Sequence, residues 1–156
     1  MAPLKIPWVL WAHLPHDQDW SMSSYTSIMP STTVEELWGV AHALPPALLC
    51  GCMVFFMRDG INPIWEDPLN KNGGYFSYKV VNKNAPEAWR VLMLRVAGET
   101  LTNSTPFNQA ITGISISPKK GFCIIKVWMT SKQFSSPDPI ACLHLKPSEG
   151  RFKAHV

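Results

Sequence analysis

Apolar positions along the chain fall into short runs separated by polar, proline- or glycine-bearing stretches, a pattern of strands joined by turns with two helices inserted. Leu4–Ala12 is aromatic and aliphatic, with Trp8 and Trp11 inside it, and predicts a buried strand. His13–Ser21 is polar, carries a proline and suits a loop. Ser24–Met29 fits a second strand closed by Pro30. Thr32 with Glu35 three residues on makes a capping box, so a helix starts there and Pro45-Pro46 stops it. Met53–Met57 predicts a strand ended by Arg58-Asp59-Gly60; Ile61–Gly74 is a long loop, and Tyr75–Val81 another strand.

A second helix is expected over Ala85–Ala97, with Asn84 as cap, Pro86 in the first turn and Gly98 as the stop. Its core stripe is Trp89, Leu92, Met93 and Val96. Ala110–Ser117 and Phe122–Met129 predict two strands joined by a turn at Pro118–Gly121. The tail from Ser131 is proline- and serine-rich, with one strand at Ile140–Leu145. The fold class is therefore α+β: one domain over 1–156, with an antiparallel sheet covered by helices on one face. The other face is left for solvent or ligand.

Chemistry concentrates on that free face. Alternation in the last strong strand puts Cys123, Ile125 and Val127 on the core side, and Phe122, Ile124, Lys126 and Trp128 on the other. A lysine beside a tryptophan suits a flat anionic ligand, although a snorkelling lysine at a sheet edge gives the same pattern. Trp20 and Trp65 lie in polar loops with no periodic core face to fill, and read either as partly buried lids or as stacking platforms for a planar ligand. Glu66, next to Trp65, can accept from an amide-and-amine edge. Val34 and Trp38 lie at i, i+4 on the first helix, and Val91 and Leu94 lie off the core stripe of the second; these positions suit a partner face, although a Trp38 packed into the core gives the same spacing.

Composition narrows the classes. Of 156 residues, 46% are hydrophobic and 16% charged, which fits a globular chain. Seven tryptophans exceed what one core of this size needs, and a net charge of +3 permits an anionic ligand without the signature of a duplex-coating protein. No apolar run reaches a membrane span, and Pro7–Leu14 is too short for a signal peptide. Cys50, Cys52, Cys123 and Cys142 match no zinc spacing and read as free thiols of a cytosolic protein. No phosphate loop, nucleophile elbow or metal-spaced histidine pair is present, so catalysis is not expected. The carboxylate pairs Asp17/Asp19 and Glu66/Asp67 lack across-substrate spacing.

Taken in order, Trp8-Val9-Leu10-Trp11, Trp20-Ser21, Thr33-Val34-Glu35-Glu36-Leu37-Trp38, Asp59-Gly60-Ile61-x-Pro63-x-Trp65-Glu66-Asp67, Asn72-Gly73-Gly74, Trp89, Gly98-Glu99 and Ile125-x-Val127-Trp128 resemble translation initiation factor 4E, the eukaryotic messenger-RNA cap-binding family. The resemblance covers Pro3 to Trp128 and implies a strongly curved antiparallel sheet with helices on its convex back. It implies that Trp20 and Trp65 sandwich 7-methylguanine, that Glu66 pairs with its N1–H and amine, and that Trp128 touches the N7-methyl group. Lys119 stands where the family has a phosphate-binding arginine, with Lys126 as a second contact. No cofactor is implied; the ligand is the cap, or 7-methyl-GTP. Pro3, Val34, Trp38, Val91 and Leu94 match the dorsal surface where a scaffold initiation factor of the 4G type, or a 4E-binding repressor, docks a short amphipathic helix. A cytoplasmic protein, monomeric before partner binding, is expected.

Departures from the family pattern are specific. Arg90 and Val91 replace a leucine and a carboxylate on the second helix, Ile124 replaces a phosphate-binding lysine, and Tyr75 replaces an arginine. Segment 131–156 is short and lacks the family's last long amphipathic helix. A retained clamp with such divergence resembles the cap-binding paralogues of kinetoplastid protozoa. Two other roles fit the same residues: a cap-binding repressor or storage factor, and an adaptor with a weak pocket.

Overall fold

The computed structural model describes residues 2–156. Its elements are β1 (Pro3–His13), β2 (Thr26–Thr33), α1 (Val34–Ala43), α2 (Pro46–Gly51), β3 (Met53–Arg58), α3 (Pro68–Lys71), β4 (Gly74–Val81), α4 (Ala85–Ala97), α5 (Thr105–Gln109), β5 (Ile111–Pro118), β6 (Phe122–Met129) and β7 (Arg151–Ala154). The strands form one antiparallel sheet in the order β2-β1-β3-β5-β6-β4-β7, open at both ends. Register shifts in β1 and at the start of β5 bend it, as bulges do.

Alternation assigns the two faces. Val54 and Phe56, Ile114 and Ile116, and Ile125 and Val127 pack against Trp89, Leu92, Met93 and Val96 of α4 in the main core. All ten are at most 1% exposed. The intervening residues Phe55, Met57 and Trp128 form a second, smaller cluster on the opposite face, with Ile61 and the half-buried Trp11, Tyr25 and Met53 around it. One carries the helices; the other carries aromatic rings and a hollow.

Four expectations need correction. The capping box is one residue later: Thr33 is the cap, its hydroxyl accepting from the Glu36 amide at 3.1 Å, while the Glu36 carboxylate accepts from Thr32 and Thr33. Pro30 does not close β2, which runs on to Thr33; β2 is an edge strand, where proline takes no bond from the ladder. Pro45-Pro46 stops α1 and also starts α2 with a proline in its first turn. Ile140–Leu145 is not a strand: Cys142 and Leu145 share a single bridge, Ile140 and Leu145 plug the core, and the tail's strand is β7. The four cysteines are free, Cys52 and Cys123 being buried. Among the described residues no helix is long and apolar enough to cross a membrane.

Candidate functional site

A cavity of about 320 Å³ opens on the face away from the helices, bordered by Trp20, Trp65, Glu66, Lys126 and Trp128. Tyr25, Met53, Phe55, Ser115 and Ser117 line it as well. The size suits one heterocyclic base. Five of the six residues expected at the ligand site therefore meet here.

Trp20 is held by the loop after β1. Asp19 takes bonds from the Ser21 amide at 2.9 Å and hydroxyl at 2.7 Å, which hold its pKa below the usual carboxylate range, and Asp17 accepts from the Asp19 amide at 2.9 Å. These carboxylates shape the loop. The Trp20 indole stacks on His13, with centroids 4.1 Å apart and planes 3° from parallel, and remains 48% exposed. His13 is itself buried and its Nε2 lies 2.8 Å from the Asp19 carbonyl. The indole thus has one braced face and surface left for a planar guest.

Trp65 projects from the loop between β3 and α3. Asp67 is buried and accepts from the Asn62 amide at 2.8 Å and the Leu69 amide at 2.9 Å. Asn70 donates to the carbonyls of Asn62 and Ile64 at 3.2 and 2.9 Å. These bonds set a rigid loop whose unpaired surface is Trp65, 46% exposed, and Glu66. The Glu66/Asp67 pair divides its duties: Asp67 caps α3, and Glu66 faces the cavity.

Trp128 forms the floor, 7% exposed, its indole donating to the Ser115 hydroxyl at 3.0 Å and its edge packed on Phe55. Tyr25 is pushed up to about 12 by burial and then by the Glu66 carboxylate. On the β6 side, burial and the charges of Lys119 and Lys153 lower the Lys126 pKa. Lys119 sits on the exposed β5–β6 turn and does not line the cavity; its charge reaches the site through Lys126.

Sequence reasoning missed Tyr25, Phe55, Ser115, Lys153 and His155. Lys153 and His155 border a second cavity of about 270 Å³ that shares Trp65, Lys126 and Trp128 with the first. Alternation along β3 and β5 could have found Phe55 and Ser115; Lys153 of β7 and His155 just after it carry no comparable signal. Among the described residues no group of three or more metal-ligating side chains comes together.

On the helical side, Val34 is 46% and Trp38 57% exposed, while Val91 and Leu94 are half-buried on the neighbouring α4. Pro3 is exposed opposite Thr33, and the preceding Ala2 is tied to α1 by its amide to Glu35 and by its carbonyl, which accepts from the Val34 amide at 2.8 Å. Pro3 thereby lies beside the first turn of α1. On the other flank of α1, an apolar hollow of about 400 Å³ between it and β2 includes Ile28, Met29 and Val40.

Residues 3–144 match the family model described as eukaryotic initiation factor 4E. Eukaryotic translation initiation factor 4E-2 of Schizosaccharomyces pombe is 36% identical over 133 residues, 81% of this chain and 53% of that protein. Factor 4E-1 of the same yeast is 33% identical over 136 residues, 83% of this chain and 61% of that one. The chain thus spans between half and two-thirds of the length of these curated relatives. Among solved structures, Ascaris suum eIF4E-3 with m7G cap superposes with a TM-score of 0.78 at 19% identity, over 99% of this chain and 92% of that one. A schistosome eIF4E complexed with m7GpppG and 4E-BP gives 0.75 at 24%, over 85% and 74%. At these identities the superpositions establish the fold.

Proposed function

Because the chain belongs to the eukaryotic initiation factor 4E family, we propose that it binds the 7-methylguanosine cap of messenger RNA in the cavity at Trp20 and Trp65, and docks a scaffold partner on α1 and α4 to start translation. The observation that carries this reading is the meeting of two exposed tryptophans, one free carboxylate and a lysine around a hollow sized for one base.

Methylation at N7 makes guanine cationic, so two indole faces add cation–π attraction to stacking. Stacking is worth about 1–3 kcal/mol per base. Glu66 accepts from N1–H and the exocyclic amine, a charged interaction of roughly 1.5–3 kcal/mol. Trp128 meets the methyl group from the floor, while Lys126, with Lys119 at the rim, faces the phosphates. Every step is binding, with no covalent chemistry. The occupants of the dorsal face are a scaffold of the 4G type or a 4E-binding repressor, each laying an amphipathic helix across Pro3, Val34, Trp38, Val91 and Leu94. The protein is a cytoplasmic monomer until that partner arrives.

Titration with 7-methyl-GTP and with GTP, following tryptophan fluorescence, tests the reading. Quenching at micromolar 7-methyl-GTP, with GTP needing far higher concentrations, is expected. Equal responses to both nucleotides would refute a clamp that senses the methyl group.

A further inference from the structure

Two of the free cysteines, far apart in sequence, come together on the helical side of the sheet. Cys50 lies half-buried in the last turn of α2, and Cys123 is the second residue of β6 and fully buried. Both thiols turn to Asn82, just after β4. The Cys50 sulfur lies 3.9 Å from the Asn82 carbonyl, and the Cys123 sulfur 3.5 Å from its Oδ1. Cys123 also lies 3.9 Å from the carbonyl of Leu49, the residue before Cys50. The two thiols hydrogen-bond to each other, and burial followed by the Cys50 neighbour pushes the Cys123 thiol up to about 11.

The fold holds both sulfurs in place. Cys123 sits in the sheet between Val80 of β4 and Pro118 of β5. Leu49, 2% exposed, anchors α2 in the main core, and the Asn82 amide donates to the Gly121 carbonyl at 3.4 Å. The other two cysteines point elsewhere. Cys52, near Cys50 in sequence, donates to the carbonyls of His13 at 3.3 Å and Met53 at 3.7 Å. Cys142 lies in the tail, bridged to Leu145 and near Arg95.

We propose that Cys50 and Cys123 are a reversible oxidation site, joined as a disulfide by a peroxide so that α2 is fastened to the start of β6. Oxidation begins at Cys50, the member of the pair that reaches solvent. Its thiolate attacks the peroxide O–O bond, giving a sulfenic acid, and the departing oxygen takes a proton and leaves as water. The Cys123 sulfur then attacks the Cys50 sulfur. An S–S bond forms, the S–O bond breaks, and the hydroxyl leaves as water with the Cys123 proton. Both thiols are oxidised and the peroxide is reduced to water; a dithiol reverses the reaction. The bond closes a long loop and so restricts the unfolded chain. Neither ligand binding nor partner docking is needed for this reading.

The test exposes the full chain to hydrogen peroxide, blocks the remaining thiols under denaturing conditions, and maps the peptides by mass spectrometry with and without dithiothreitol. Cys50 and Cys123 should be found in one cross-linked pair, with Cys52 and Cys142 blocked as free thiols. The oxidised chain should melt higher, by a shift on the order of 10 °C that dithiothreitol abolishes. C50S alters a half-buried helix end and should lose both the link and the shift, whereas C123S changes the core and is not relied on. Free thiols at all four positions, a Cys50–Cys52 link, or a melting shift that persists in C50S would overturn the inference.

Discussion

The two faces of the sheet present aromatic surface in opposite ways. On the open face Trp20, Trp65 and Trp128 surround a hollow, each braced by His13, by the Asp67–Asn70 loop, or by Ser115 and Phe55. On the helical face Trp38 is 57% exposed and touches His42 of its own helix, while Val91 and Leu94 are half-buried on α4, which packs against α1. The first is organised before any ligand arrives, which spares a small molecule the cost of ordering its site. The second leaves an aromatic ring exposed, which under the proposed function a partner helix would bury. The proposed ligand site and the proposed partner face lie on opposite faces of one sheet, so each should be breakable without the other.

The largest separation should come from W20A/W65A, which removes both stacking surfaces. At about 1–3 kcal/mol for each, 7-methyl-GTP binding should fall by between about thirtyfold and about ten-thousandfold. Affinity for a dorsal helix peptide should stay as it was; a parallel fall in the two would mean that the faces are not independent. Trp38→Ala should do the reverse. Loss of an exposed aromatic anchor costs about 2 kcal/mol of partner binding, roughly thirtyfold, with the cap titration unchanged.

Smaller effects sharpen the picture of the open face. Asp67→Ala removes the acceptor for two backbone amides and should cost about 1 kcal/mol in thermal unfolding, with a weaker cap affinity as Trp65 loses its setting. Undiminished stability would show that the loop is held by other contacts. Smallest is a titration shift: Lys126→Met removes a cation that lowers His155, so the His155 midpoint followed by NMR should rise towards the ordinary histidine value. No movement would separate Lys126 from the second cavity.

Legibility followed the strength of periodic signals. In β6, strict alternation separated Ile125 and Val127 from Lys126 and Trp128, and the structure keeps that division. The α4 stripe of Trp89, Leu92, Met93 and Val96 was equally plain, and all four are buried. The α1 cap was misplaced by one residue because Thr32-Thr33 and Glu35-Glu36 offer two registers of the same box, and only helix packing chooses. The tail misled for a different reason. Ile140 and Leu145 are apolar because they plug the core, whereas β7 is a short, half-exposed edge strand whose sequence, Arg-Phe-Lys-Ala, carries one large apolar residue. That is why Lys153 and His155 stayed out of sight.

A structure of the protein with 7-methyl-GTP bound tests the central claim most directly. It should place the base parallel to and between the Trp20 and Trp65 indoles, with its N1–H and amine on Glu66 and its methyl group towards Trp128. A nucleotide bound outside that gap, or inside it with Glu66 turned away, would contradict the account.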